Sequence, residues 1–190
     1  MQEWFRSLLR VQVPMIVVVL LRVLVGYELF VQGNERVRMG YLEKGGSGEG
    51  EAGHPLEIRL RVWIEEERPI SERERGIFLT RRPARMFPWY RFFLENAVLP
   101  NVWVFAVLIT VAEMVLGAML VLGLLTRVAS FLGILLVVNY LLATWHYGFP
   151  YVHLNILVLA CFVVFLIAGV GRCLGLDALL HEKFPEIPLF

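Results

Sequence analysis

The sequence predicts an all-α membrane protein. The expected architecture is an antiparallel four-transmembrane-helix bundle, with a small extramembrane β-hairpin-containing insertion between helices 1 and 2. Three observations carry this expectation. The 190 residues are 58% hydrophobic and 18% charged, whereas a soluble domain is about 45–50% apolar and about 25% charged. Charge is also segregated, with Glu113 and Arg127 the only Asp, Glu, Lys or Arg between residues 99 and 171. Finally, four apolar runs are each long enough to cross about 30 Å of hydrocarbon. The formal net charge of +1 gives no basis for nucleic-acid binding.

Residues 1–13 read as an interfacial segment, with Trp4, Phe5, Leu8 and Leu9 beside Arg6 and Arg10. Residues 14–32 form the first span. The run is too long for a typical signal-peptide core, Arg22 interrupts it, and no A-x-A cleavage site follows, so it reads as a retained helix.

Residues 33–98 form a polar insertion. Gly45, Gly46, Gly48, Gly50 and Gly53 mark a flexible loop. Leu56, Ile58, Leu60, Val62 and Ile64 then alternate with Glu57, Arg59, Arg61, Trp63 and Glu65, the period-two pattern of a half-buried strand. A second strand is expected near Gly76–Thr80, with a turn holding Pro69 and Ser71. Phe87, Pro88, Trp89, Tyr90, Phe92 and Phe93 suggest an interfacial helix before the second span.

The remaining spans are expected at 99–125, 128–147 and 151–171, followed by an interfacial tail at 172–190. Short connections make these three spans antiparallel neighbours. Four spans place both termini on one side, and Arg6, Arg10, Arg127, Arg172 and Lys183 assign that side to the cytoplasm of a bacterial inner membrane. The insertion holds twelve basic residues but also eleven acidic ones. A segment of that length translocates despite its charge, so the insertion is expected outside.

Three sequence segments resemble the DoxX/DoxD family of membrane proteins. The run Leu21-Arg22-Val23-Leu24-Val25-Gly26 is similar to its L-R-x-x-x-G opening. Glu113 to Gly117 and Leu122-Gly123-Leu124-Leu125-Thr126-Arg127 resemble its E-x-x-x-G…LGLLTR segment. Gly171-Arg172 with Leu176-Asp177-Ala178-Leu179-Leu180 resembles its closing motif. The resemblance covers nearly all of the membrane body but not the glycine-rich and hairpin part of the insertion. It implies a membrane subunit of a quinone-linked redox complex, of the thiosulfate:quinone oxidoreductase type, with at least one other protein subunit. An alternative is a non-catalytic accessory subunit of a larger respiratory or photosynthetic complex, contacting lipid, quinone or pigment. A small transporter is the weakest reading, because no internal repeat or broken helix pair is visible.

Ionisable groups inside spans are costly, and are functional or paired. Arg22 and Glu113 fall at similar expected depths, so a buried Arg22–Glu113 pair is expected. It would either fix helix register or supply a proton-accepting carboxylate for quinone reduction. Glu28 with Tyr27 would line a polar cavity or extend to the interface. Asn139, Tyr140 and Asn155 read as interhelical hydrogen-bonding groups. Trp145, His146, Tyr147, Tyr151 and His153 cluster at the turn between spans three and four. They would contact a quinone or pigment, or form an ordinary aromatic belt.

No metal site is expected, since the two histidines of that cluster lack a third ligand at suitable spacing. Cys161 and Cys173 lie twelve residues apart; if one helix continues through both, they are about 18 Å apart and cannot form a disulfide with each other. Asp177 is expected to cap a terminal helix.

Overall fold

The computed structural model describes residues 15–44, 53–65, 86–145, 150–172 and 175–183. Four of its helices are long and apolar enough to cross a membrane. Helix α1 spans Met15–Arg38, α2 spans Pro55–Glu65, and α3 spans Pro88–Phe93. The chain continues from α3 through a π turn at Leu94–Val98 and a 3-10 turn at Leu99–Asn101 into α4, Val102–Leu122. The wide turn falls where Pro100 cannot donate a backbone N–H, a usual way for a long helix to absorb a proline. Helices α5 (Thr126–Thr144), α6 (Tyr151–Ala168) and α7 (Leu176–Lys183) complete the fold.

The expected β-hairpin is not supported: among the described residues there is no strand, and Pro55–Glu65 is helical. The alternation misleads because positions 56, 60 and 64 satisfy a four-residue period as well as a two-residue one. Leu56 and Leu60 are buried, while Ile58 and Val62 are 41% and 42% exposed on another face. Leu, Glu and Arg are good helix formers, and Pro55 sits in the first turn where its missing N–H costs nothing. His54 accepts a hydrogen bond from the Leu56 N–H, and Glu57 pairs with Arg61 one turn on. The second expected strand, near residues 76–80, lies outside the described residues.

The bundle is built from two tight pairs, α1 on α4 and α5 on α6. Small residues set the first. A Cβ on Gly117 would fall 2.6 Å from the Gly26 carbonyl oxygen and the Phe30 nitrogen, so only glycine lets these backbones meet. Gly33 packs in the same way against Met114 and the Thr110 carbonyl, which makes α1 and α4 antiparallel. In lipid, where apolar burial drives little association, close backbone approach of this kind supplies the packing. In the second pair, the Phe162 ring fills the space beside Gly133.

The two ends of the bundle are finished differently. At one end lie Arg22, Gly123, residues 170–172 and α7. At the other, α2 packs on the chain after α1: Tyr41, Leu56, Leu60, Tyr90, Leu94 and Val98 form one buried cluster. His54 Nε2 lies 3.2 Å from the Tyr41 carbonyl, and the Trp103 indole N–H donates to the Leu42 carbonyl at 3.1 Å.

Candidate functional site

The three family-like segments meet at the Arg22 end, and their contacts there are structural. Arg22 is buried, and its Nη1 donates to the Val170 carbonyl at 3.0 Å. Asp177 lies within α7, and its carboxylate caps the start of α5 instead of α7. It accepts from the Leu125 N–H and, at 2.8 Å, from the Thr126 N–H. Leu125 is held at φ 47°, a left-handed conformation that a leucine adopts only when its surroundings fix it. Gly171 has no room for a Cβ because the Asp177 carboxylate and the Thr126 hydroxyl occupy that place.

The expected Arg22–Glu113 pair is therefore replaced by two separate sites. Arg36 Nε lies 2.8 Å from Glu113 Oε2, with side-chain exposures of 17% and 0%. Arg22 and Arg36 are fourteen residues apart on α1, about 21 Å of rise, so one carboxylate cannot serve both. A first span ending at Gln32 leaves Arg36 outside the membrane helix, so Arg22 is the one basic residue within it that Glu113 could meet. Helix α1 continues to Arg38 and carries Arg36 back over α4.

Glu113 is held from two sides. Tyr140 donates its hydroxyl proton to Glu113 Oε1, and Arg36 Nη2 donates to the Tyr140 oxygen at 3.2 Å. The Arg36 guanidinium also lies 5.6 Å from the Tyr41 ring centre and 5.5 Å from that of Tyr140. At Oε2 the contact is ionic by distance, without a directed N–H, so this oxygen lacks a formal hydrogen bond. Helices α1, α4 and α5 are thus joined by one buried charged cluster. Its members lie far apart in sequence, which is why no motif announces it.

A cavity of about 1700 Å³ opens beside this cluster, bounded by α1 to α6. Arg36 and Tyr140 line it; Glu113 does not, and stands behind them. The polar lining is concentrated toward the α2 end, where Asn139, Thr144, Asn155 and Arg59 join Arg36 and Tyr140. Toward the Arg22 end the wall is aliphatic, with Leu24, Val25, Met119, Leu132 and Leu136. Tyr90 donates to Asn139 Oδ1 at 2.9 Å, leaving the Asn139 amide N–H as a donor. Asn155 donates to the Thr144 hydroxyl at 3.1 Å. The arrangement suits a ligand with a flat polar head and an apolar body.

Of the other candidates, those among the described residues differ in position. Tyr151 lines the cavity. His153 is exposed and not among its lining residues. Trp145 lies 6.0 Å from the Phe87 ring centre, also off the cavity wall. His146 and Tyr147 lie outside the described residues. Glu28 lies on the cavity wall, not at the helix end. Among the described residues, no three His, Cys, Asp or Glu side chains are grouped to hold a metal ion.

The fold and cavity define a class: a multi-pass helical membrane protein with a buried charged cluster on an intramembrane cleft. The model of the DoxD family, described as TQO small subunit DoxD, matches residues 84–189, more than half of the chain, and the protein belongs to that family. It is thus of the kind that forms the membrane subunit of a quinone-linked, thiosulfate:quinone oxidoreductase-type complex. No curated protein and no solved structure matches the chain.

Proposed function

We propose that this chain is the quinone-binding subunit of a thiosulfate:quinone oxidoreductase-type complex, and that the ring sits at the polar end of the cavity against Arg36. The observation that carries this reading is the Glu113-anchored guanidinium on the wall of an otherwise largely apolar cleft. A quinone has two hydrogen-bond-accepting oxygens on a flat apolar ring with a hydrocarbon tail. Arg36 and the Asn139 amide supply donors for one oxygen, and the aliphatic wall from Leu136 to Met119 takes the tail. When bound, the quinone supplies the two-electron acceptor of the reaction. Thiosulfate supplies the electrons, two ions joining through a new S–S bond as the ring takes up two electrons and two protons.

In this assignment Glu113 is a positioning residue. It reaches the ligand only through Arg36 and Tyr140, and it holds a cation in the span without leaving net charge there. The protein partner is a second subunit of the complex. The positive-inside pattern supports a reading with both termini in the cytoplasm of a bacterial inner membrane. The α2 end and the ring site then lie toward the opposite face.

Photolabelling tests the placement. A photoreactive azidoquinone added to the purified complex is expected to label α1 between Glu28 and Arg36 and α5 between Leu136 and Thr144. Labelling confined to residues 145–153 would move the site to the aromatic cluster of that segment. Absence of quinone-competable labelling would remove the quinone reading.

A further inference from the structure

A ring with two oxygens needs a proton at each when it is reduced, and the Arg36–Glu113–Tyr140 cluster is poorly placed to supply both. Arg36 holds its charge, Tyr140 already directs its proton to Glu113, and Glu113 has no surface on the cavity. A different carboxyl group does. On α1, Glu28, Gln32 and Arg36 recur every four residues on one face, and all three line the cavity. Glu28 lies ten residues before the end of α1 at Arg38, about 15 Å below it. Glu28 is exposed and lines the cleft. Gln32 Nε2 donates to Glu28 Oε1 at 3.2 Å, which draws the carboxyl toward the next turn, between its own Cα and Arg36.

We propose that Glu28, oriented by Gln32, is the group that exchanges a proton with the ring oxygen facing away from Arg36. The proposal rests on the quinone reading above. In the reducing direction the electrons come from thiosulfate. The Glu28 carboxylic acid breaks its O–H bond, a new O–H bond forms on that ring oxygen, and Glu28 is left as carboxylate. The oxygen held by Arg36 takes its proton from water at the cavity mouth, beside Arg59. Glu28 is reloaded by a proton from the same water, which restores the O–H bond on its carboxylate. An ionisable side chain at this depth is costly unless it faces such a cavity, so its position has a functional explanation. Gln32 is a positioning residue, and Glu28 is the catalytic one.

Redox-difference infrared spectroscopy of the purified, quinone-loaded complex tests this directly, alongside turnover. The wild type is expected to show a carboxyl C=O band that changes when the quinone is reduced. Glu28→Gln should delete that band and lower kcat at least tenfold with KM nearly unchanged, while Glu28→Asp restores part of both. Glu113→Gln should keep the band. Because Glu28 is exposed to the cleft, Glu28→Gln should unfold at the wild-type temperature. A band that survives Glu28→Gln, or wild-type turnover in that variant, would overturn the assignment while leaving the ring site intact. A wild-type complex that retains no quinone would instead remove the site itself, and the assignment with it.

Discussion

Arg36 Nε stands 2.8 Å from Glu113 Oε2, tying the far end of α1 to the middle of α4. The carboxylate is fully buried and the guanidinium mostly so, in helices that face lipid. Two such charges are costly to bring together, but costlier to separate once buried, because the survivor is left without a counter-charge.

Removing either partner alone should destabilise the protein strongly. Arg36→Gln or Glu113→Gln is expected to cost about 3–5 kcal/mol. The double variant Arg36→Gln with Glu113→Gln should recover most of that loss, since no lone charge remains. Thermal unfolding of the three variants in one detergent checks the ordering. A double variant less stable than both single ones would mean that the pair is not the unit of stability.

Tyr140→Phe isolates the second support of the carboxylate. It removes one hydrogen bond to a charged acceptor, a loss of about 1.5–3 kcal/mol, without altering the shape of the ring. The variant should fold, unfold at a lower temperature, and bind quinone more weakly because Arg36 loses its Tyr140 contact. Unchanged stability would show that the Tyr140–Glu113 contact contributes nothing net.

The Arg22 end should respond in stability and not in ligand affinity. Asp177→Ala strips the acceptor from two backbone N–H groups at the start of α5, a cap worth about 0.5–2 kcal/mol. Gly171→Ala should act in the same direction, because its methyl would displace the same carboxylate. Quinone titration of a variant that still folds should return the wild-type affinity.

Gly117→Ala tests the helix pair that carries Arg36. The new methyl would meet the Gly26 and Phe30 backbones, which have no side-chain freedom to yield. A destabilisation of about 1–3 kcal/mol is expected, as for other overpacked contacts. The same substitution at Gly53, where a Cβ would meet only the Ile58 side chain, should have less effect, and comparative unfolding decides between them.

The sequence reveals the four spans because long apolar runs have few other uses. The extent of α1 is less visible: Glu35, Arg36 and Arg38 look like loop residues, yet they close the helix, basic groups at its C-terminal end being favourable. The recurrence of Glu28, Gln32 and Arg36 every four residues was the signal that would have extended the helix. Glu113 was legible as a buried ionisable group, but its partner was not, since pairing depends on which helices pack together. The strand reading of residues 56–64 failed because apolar residues at every second position fit both periods. Composition alone does not say which side chains of the 145–153 segment reach the cavity: Tyr151 lines it and His153 does not. The closing motif was legible as a pattern, while its reason lies in the three-dimensional meeting of Gly171, Asp177 and Thr126.

Equilibrium binding of a quinone to the detergent-purified complex tests the central claim most directly, comparing the wild type with the charge-balanced Arg36→Gln, Glu113→Gln double variant and with His153→Gln. The ring-at-Arg36 assignment predicts saturable binding to the wild type, at least tenfold weaker binding to the double variant, and no change for His153→Gln. Equal affinity in the wild type and the folded double variant, or a loss seen only in His153→Gln, would contradict it.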